Sequence, residues 1–445
     1  IAGRVKAGKS TLLNALVGER LAATDAGECT HLITSFRHAS GYEVAATLHD
    51  GTTRELNFQR SDGALTVDLG TLHAHEIARL DVGWPAKALH DVTLIDTPGL
   101  ESLNDENSRR TRDFLDHDAT NPASADAVIY LMRHLHRSDA DFLASFMDRT
   151  VAGASPVNAV AVLSRADEIG ACRLDAMDSA QRIARRYSAD ANVSTLVADV
   201  VPVAGLLAET GLTLMQSEFS ALAQLAAMPK DERTMLLLSV DDFCDVAASP
   251  LTAEIRRDLL ARFGLYGVRR AIGAFVDGDA PTASDLSRVL VAASGLGGLQ
   301  GAIVSTFLPR ARLLKARSAL VSLRGIATTL AADGSPDAAV FGGEVDRTDA
   351  GAIEFAILQA AHLVMSGSVR LPAEETSEIT QALAGPDVAT AFGVAGLGVD
   401  QQREVALAGL TRWRNRSSDP LADSLVVAVA ETMTRLFEGL YASAE

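Results

Sequence analysis

The chain has 445 residues, 48% of them hydrophobic and only 5% aromatic, with a formal net charge of −17. That length supports two or three packed domains, and a composition poor in aromatics favours helices over an all-β second half. The acidic balance argues against nucleic acid as a partner, since phosphate binding needs a basic face strong enough to overcome it.

The first element is a complete phosphate loop, Gly3-Arg4-Val5-Lys6-Ala7-Gly8-Lys9-Ser10-Thr11. Its glycines let successive backbone N–H groups curl around a triphosphate, Lys9 is expected on the β- and γ-phosphates, and the Ser10 hydroxyl on Mg²⁺. The following residues to Val17 read as a helix whose N-terminal dipole completes the anion site. Because the sequence begins at Ile1-Ala2, most of the strand feeding this loop, and any helix before it, are expected to lie upstream. Three cysteines, Cys29, Cys172 and Cys244, are too far apart for a disulfide framework or a zinc site and fit a reducing compartment.

Thr30 is the candidate switch threonine, a third oxygen ligand for Mg²⁺ in the triphosphate state. Strand-like pieces follow at Glu43–His49, Leu65–Leu69 and Ile77–Trp84. The run Val92–Ile95 then delivers Asp96 to a strand end, where its carboxylate can hold Mg²⁺ through water, and Gly99 offers a backbone N–H to the γ-phosphate. Ala125–Met132 reads as a buried strand, and residues from about Ser138 to Arg149 as a helix. The next strand, Val160–Leu163, runs into Ser164-Arg165-Ala166-Asp167, placed like the N/T-K-x-D guanine-reading motif but with Ser164 and Arg165 substituted. Asp167 would accept the two guanine edge N–H groups, and the Arg165 stem could lie along the base. Ala171–Tyr187 reads as a helix. Val201-Pro202-Val203-Ala204-Gly205 fits the last loop on the base side. In this order, each after an apolar strand, the motifs point to a Mg²⁺-dependent enzyme that binds and hydrolyses GTP to GDP.

From about residue 206 the strand signal vanishes. Leu206–Met228, Thr252–Val276, Ser284–Gly295, Leu296–Leu308, Arg310–Ala331, Ile353–Met365, Ala373–Leu383, Arg403–Arg414 and Leu421–Ala442 read as helices. Leu313, Ala316, Leu320, Leu323, Ala327 and Leu330 form a coiled-coil-like seam, and Leu425, Val429, Met433, Leu436 and Leu440 a second stripe. Val289–Leu308 is uncharged over twenty residues, yet Gly295 followed by an apolar restart reads as two helices rather than one membrane span. Arg310, Arg312, Lys315, Arg317 and Arg324 suggest a basic face, either solvated or docking an anionic membrane surface or a partner. Ala332–Gly351 and Gly385–Gly398 read as loops carrying apolar residues, Val340 and Phe341 in one and Val388, Phe392, Val394 and Leu397 in the other. The expected fold is an α/β P-loop GTPase domain, a doubly wound mixed sheet over residues 1–210, followed by an all-α neck and trunk bundle over 211–445.

Lys6–Leu12, Thr30 with Thr34 after it, and Arg262–Arg269 resemble the bacterial dynamin-like GTPases, and Ser164–Gly170 with Ala316–Arg324 resemble one branch of that family. The resemblance implies a large GTPase in which nucleotide state drives pairing of the heads and movement of the helical trunk. It implies a cytoplasmic protein, peripheral at the inner face of the plasma membrane, acting in membrane remodelling or envelope stress and drug tolerance. Homo-oligomers or a paralogous dynamin-like protein are the implied partners. The alternative is a GTP-dependent scaffold for such a paralogue with little hydrolysis of its own. Val5 and Lys6 stand where dynamins place a Gln-Ser pair, and Leu100 where small GTPases place the glutamine that orients water, so slow intrinsic turnover is expected. Lys6 either folds over the phosphates in place of a monovalent ion or faces solvent outside the loop.

Overall fold

The computed structural model describes residues 1–22, 32–61, 64–98, 125–133, 157–245, 249–384 and 387–444. Four strands, β1 (Ala2–Gly3), β9 (Val128–Met132), β10 (Ala159–Ser164) and β11 (Val200–Val203), form a parallel sheet in the order β1-β9-β10-β11. All their residues are buried, as expected where helices cover both faces and every position can be apolar. A second sheet runs β4-β3-β7-β2-β8, built from β2 (Thr34–His38), β3 (Glu43–Leu48), β4 (Thr53–Glu55), β7 (Ile77–Trp84) and β8 (Leu94–Asp96). The hairpin β5 (Asn57–Ser61) and β6 (Ala64–Asp68) stands beside it. The two sheets meet where Ile1 N donates to Ile95 O at 2.6 Å and Thr97 Oγ1 donates to Ile1 O at 3.0 Å. That junction carries Asp96 to the edge of the phosphate loop.

The helix Lys9–Val17 bridges the sheets. Leu12, Ala15 and Leu16 pack on the parallel sheet, whereas Leu13 and Val17 pack with Phe36, Val82 and Trp84 of the second. The helix Ala176–Ser188 covers the opposite face of the parallel sheet through Ala180 and Ala184. Small alanines there let helix and sheet approach closely.

Among the described residues no strand follows Val203, and the chain continues as helices. Leu296, Leu299 and Phe307 pack against Val201 and Val203 of β11, so the helical chain up to about residue 307 shares a core with the head. A separate core is formed by Ile353–Met365, Ala373–Ala382, Val399–Ser417 and Ser424–Ser443, around Trp413, Met433 and Phe437. Val429, Met433, Leu436 and Leu440 of the last stripe are buried, while Leu425 is exposed.

Several sequence expectations shift. Leu206–Met228 is two helices, Gly205–Leu212 and Gln216–Ala226. Residues 338–351, expected as loop, are the helix Ala338–Gly351, which pairs with the helix Ala311–Ala332 through Arg324 to Asp346 and Asp349 at 3.1 and 2.7 Å. The expected seam is rotated: Ala316 and Leu323 are exposed, and Leu314, Ser318, Leu320 and Ser322 are the buried face. Its serines bond locally, and Ser318 Oγ also donates to Asp126 Oδ1 at 3.0 Å. The basic face is largely consumed by internal contacts. Arg310 is buried and donates to Val157 O at 2.9 Å, Arg324 is paired as above, and Lys315 lies 3.9 Å from Asp126. In the second loop Val394 is buried and Phe392 packs 5.1 Å from Phe437. Among the described residues no single helix is long and apolar enough to cross a membrane, and the uncharged stretch is bent by 61° between Ala283–Ala293 and Leu296–Ala332.

Candidate nucleotide site

The phosphate loop leaves β1 at Gly3, where a Cβ would lie 2.6 Å from Leu131 O. Only glycine lets β1 pair this closely with β9. Lys6 (φ 60) and Gly8 (φ 93) adopt left-handed conformations that turn the chain into the helix Lys9–Val17, with Gly8 as N-cap. Arg4, Val5 and Lys6 are exposed at the loop apex and Ala7 is buried beneath it. No side chain caps this helix, so its first N–H groups and dipole remain directed at the loop.

Lys9 Nζ donates to Gly3 O at 3.3 Å and Arg4 O at 3.4 Å, which holds the ammonium under the loop. Burial lowers its pKa, opposed by the charge of Asp96. Ser10 Oγ donates to Asp96 Oδ2 at 2.7 Å. Among the described residues the other carboxylate oxygen, Asp96 Oδ1, is buried with no hydrogen-bond partner within bonding geometry. Burial raises the Asp96 pKa, against the Ser10 hydrogen bond and the Lys9 charge. A buried oxygen left unpaired is costly unless something else satisfies it. A hydroxyl and a carboxylate oxygen converging beside a phosphate loop are a donor set that fits Mg²⁺, which takes few protein oxygens and the rest from water and phosphate.

On the far side of Gly8 an open cleft of about 160 Å³ is lined by Gly8, Thr11, Ser164, Arg165, Asp167, Gly205 and Leu206 among others. Asp167 is buried at the end of β10, and burial pushes its pKa up to about 6, with Glu168 adding to the rise and Arg165 opposing it. Ser164 Oγ donates to Met132 O at 3.2 Å, pinning β10 to β9. Arg165 turns back onto Glu168 at 2.8 Å, so its guanidinium is held by that carboxylate while the residue still borders the cleft.

The loop is strained. Arg165 has φ 52, and Gly170, Ala171 and Cys172 follow at 66°, 60° and 59°, in place of the expected helix start. A side-chain-bearing residue in this region costs roughly 1–2 kcal/mol. Thr30 and Gly99, with Cys29 and Leu100, lie outside the described residues. Ala204 does not border the cleft: it is buried and donates its N–H to Ser294 O at 2.8 Å, while Val203, Gly205 and Leu206 form that wall. Two further residues escape motif reading. Buried Asn14 accepts from Leu21 N and Ala22 N at 2.9 and 2.7 Å and donates to Ala22 O at 3.1 Å, fixing the chain that leads toward Thr30. Its position one helical turn beyond Ser10 was the available signal. Arg269, the second, closes the stretch Arg262–Arg269 that carries the family resemblance, but nothing in the sequence tied it to the loop beyond Asp167.

A phosphate loop, a serine–aspartate pair at its mouth and an open cleft lined by buried Asp167 just beyond β10 are the parts of a P-loop nucleotide-binding head, here continuous with a helical body. Residues 1–153 match the Dynamin family. The chain is 37% identical over 448 residues to the isoniazid-induced protein IniC of Mycobacterium tuberculosis, covering 99% of this chain and 89% of that protein. It is 31% identical over 120 residues to a bacterial dynamin-like protein of Nostoc punctiforme, covering 24% of this chain and 17% of that one. Solved structures described as an oligomerised bacterial dynamin pair for long-range sensing and tethering of membranes align with TM-scores of 0.29 and 0.30. Their identities are 13% and 12%, over 95% and 100% of this chain and 58% and 83% of theirs. The chain belongs to the dynamin family of GTPases, and the nucleotides of that family are GTP and GDP.

Proposed function

We propose that this chain is a Mg²⁺-dependent GTP hydrolase of slow intrinsic turnover whose nucleotide state is read by its helical body. The observation that carries the catalytic half is the 2.7 Å contact of Ser10 with Asp96 beside an Asp96 Oδ1 that has no hydrogen-bond partner among the described residues. Ser10 and Asp96, joined by Thr30 in the triphosphate state, would hold the ion, which when bound neutralises charge at the β- and γ-phosphates. Lys9 donates to the phosphate oxygens, and the loop N–H groups with the helix dipole hold them in place. Asp167 reads guanine by accepting its ring N–H and amino group, a pair of donors that adenine does not present along that edge.

Lys6 is exposed at the loop apex and, over the phosphates, takes the place of a monovalent cation. Exchanging potassium for sodium should then leave the steady-state rate unchanged. Lys6→Ser should slow hydrolysis by about tenfold or more and confer potassium dependence; an unaltered rate in Lys6→Ser removes Lys6 from the mechanism.

The membrane half of the reading is supported by apolar side chains exposed on the helical body, Val340 at 68% and Leu421 at 93%. It places the protein peripherally at the inner face of the plasma membrane, paired with a second copy or a paralogue. The scaffold reading is favoured by Val5, an apolar side chain at the loop apex that can orient no water. Steady-state GTP hydrolysis with and without acidic liposomes separates the two. The expected result is Mg²⁺-dependent turnover, slowed about 10- to 100-fold in Ser10→Ala and Asp96→Asn while GDP affinity changes far less. Absence of turnover under every condition hands the site to the scaffold.

A further inference from the structure

The strained turn behind Asp167 is held by a residue 97 positions beyond Cys172. Gly170, Ala171 and Cys172 are three consecutive residues with φ near 60°, and two of them gain nothing from that conformation. Such geometry persists only where the surroundings over-determine it. Arg269 supplies the restraint. Its Nη1 donates to Ala171 O at 3.2 Å and Cys172 O at 2.7 Å. Its Nε and Nη2 donate to Leu237 O at 3.0 and 2.6 Å, and Nη2 also to Leu238 O at 2.9 Å. All of these acceptors are backbone carbonyls, and two of them close the C-terminus of the helix Lys230–Leu236, where a cation is favoured.

The helix that carries Arg269 is also built against the reader. It breaks at Gly264 (φ 61, ψ 170) and restarts at Leu265. A Cβ on Gly264 would sit 3.7 Å from Asp167 Oδ2. Break, clamp and carboxylate thus lie within one short stretch of structure.

We infer that Arg269 is a positioning residue for guanine recognition: its guanidinium holds the left-handed turn 170–172, and through it the loop presenting Asp167, against the helix Lys230–Leu236. The inference rests on Asp167 being the guanine reader. Arg269 is not among the residues lining the cleft, so its loss should act on the base side of the site and leave the phosphate side alone.

Calorimetric titration with GTP, ATP and inorganic tripolyphosphate tests this on the full chain. Arg269→Ala should weaken GTP binding about tenfold or more while tripolyphosphate affinity stays within about twofold. Arg269→Lys, which cannot span both sets of carbonyls, should fall between. Ala171 is exposed, so Ala171→Gly removes strain without losing contacts. Added to Arg269→Ala it should recover about threefold or more of the lost affinity. Native GTP affinity in Arg269→Ala, equal losses for GTP and tripolyphosphate, or no recovery with Ala171→Gly overturns the clamp. If the native chain binds ATP as tightly as GTP, it is the guanine reading that fails, a result distinct from native preference with an inert Arg269.

Discussion

Asp167→Asn should yield a nucleotide-free chain that is more stable than the native one at pH 7 and has lost its preference for guanine. Burial holds the Asp167 carboxyl at about 6 in the folded chain, against about 3.9 when unfolded. Between those values the folded state keeps a proton that the unfolded state has lost, so stability falls as pH rises from about 4 to 6 and is flat above. At pH 7 the ionised carboxylate therefore costs up to about 3 kcal/mol, which the amide avoids. Two guanine donors offset that cost on binding; the amide turns a donor toward the amino group and should weaken GTP by about 100-fold or more. The amide matches the 2-oxo group of xanthine, so xanthosine triphosphate should bind the variant better than GTP does. Thermal unfolding at pH 4 and pH 7.5 checks the first part: the gap between variant and native chain should be open at pH 7.5 and closed at pH 4. A variant no more stable at either pH contradicts the assignment of Asp167 as a buried, unpaid carboxylate.

Lys9→Ala should abolish measurable GDP and GTP binding, a loss of about 100-fold or more. The ammonium is already fixed by Gly3 O and Arg4 O, so it meets the phosphates without further ordering. Removing it also leaves buried Asp96 without its nearest side-chain cation, which favours protonation of the carboxyl needed for the ion. Lys9→Met, which keeps the packed stem, should fail equally. Calorimetry with GDP reads this directly, and micromolar-range binding retained in either variant contradicts the phosphate role of Lys9.

The parts of the site that were legible in the sequence are those where backbone geometry dictates residue type. Gly3 and Gly8 are demanded by close approach and left-handed φ, and Asp96 and Asp167 stand at the ends of apolar strands whose burial needs no partner to be recognised. β7 runs over Ile77–Trp84 as read, and the uncharged stretch after Val289 breaks at Gly295, which has φ 78. What depended on distant partners was not legible. Ala and Cys have no bias toward left-handed turns, so Ala171–Cys172 read as a helix start until Arg269 is seen clamping them. The helix Ala338–Gly351 contains Gly342 and Gly343 and is stabilised by Arg324 across a hairpin, not by its own propensity. The basic face dissolved because periodicity counts charges on a helix and is silent about Val157 O, Asp126, Asp346 and Asp349 opposite them. The seam rotated because Ser318 and Ser322, polar by composition, bury their hydroxyls against carbonyls one turn back.

The central claim is that one head binds triphosphate with Lys9 and Ser10 and guanine with Asp167. Titrating the native chain with GTP and with ATP, in Mg²⁺ at pH 7.5, tests it most directly. The account predicts GTP binding tighter than ATP by about 100-fold, with the difference shrinking as pH falls below about 6 and Asp167 takes up its proton. Equal affinities for the two nucleotides at pH 7.5 would contradict it.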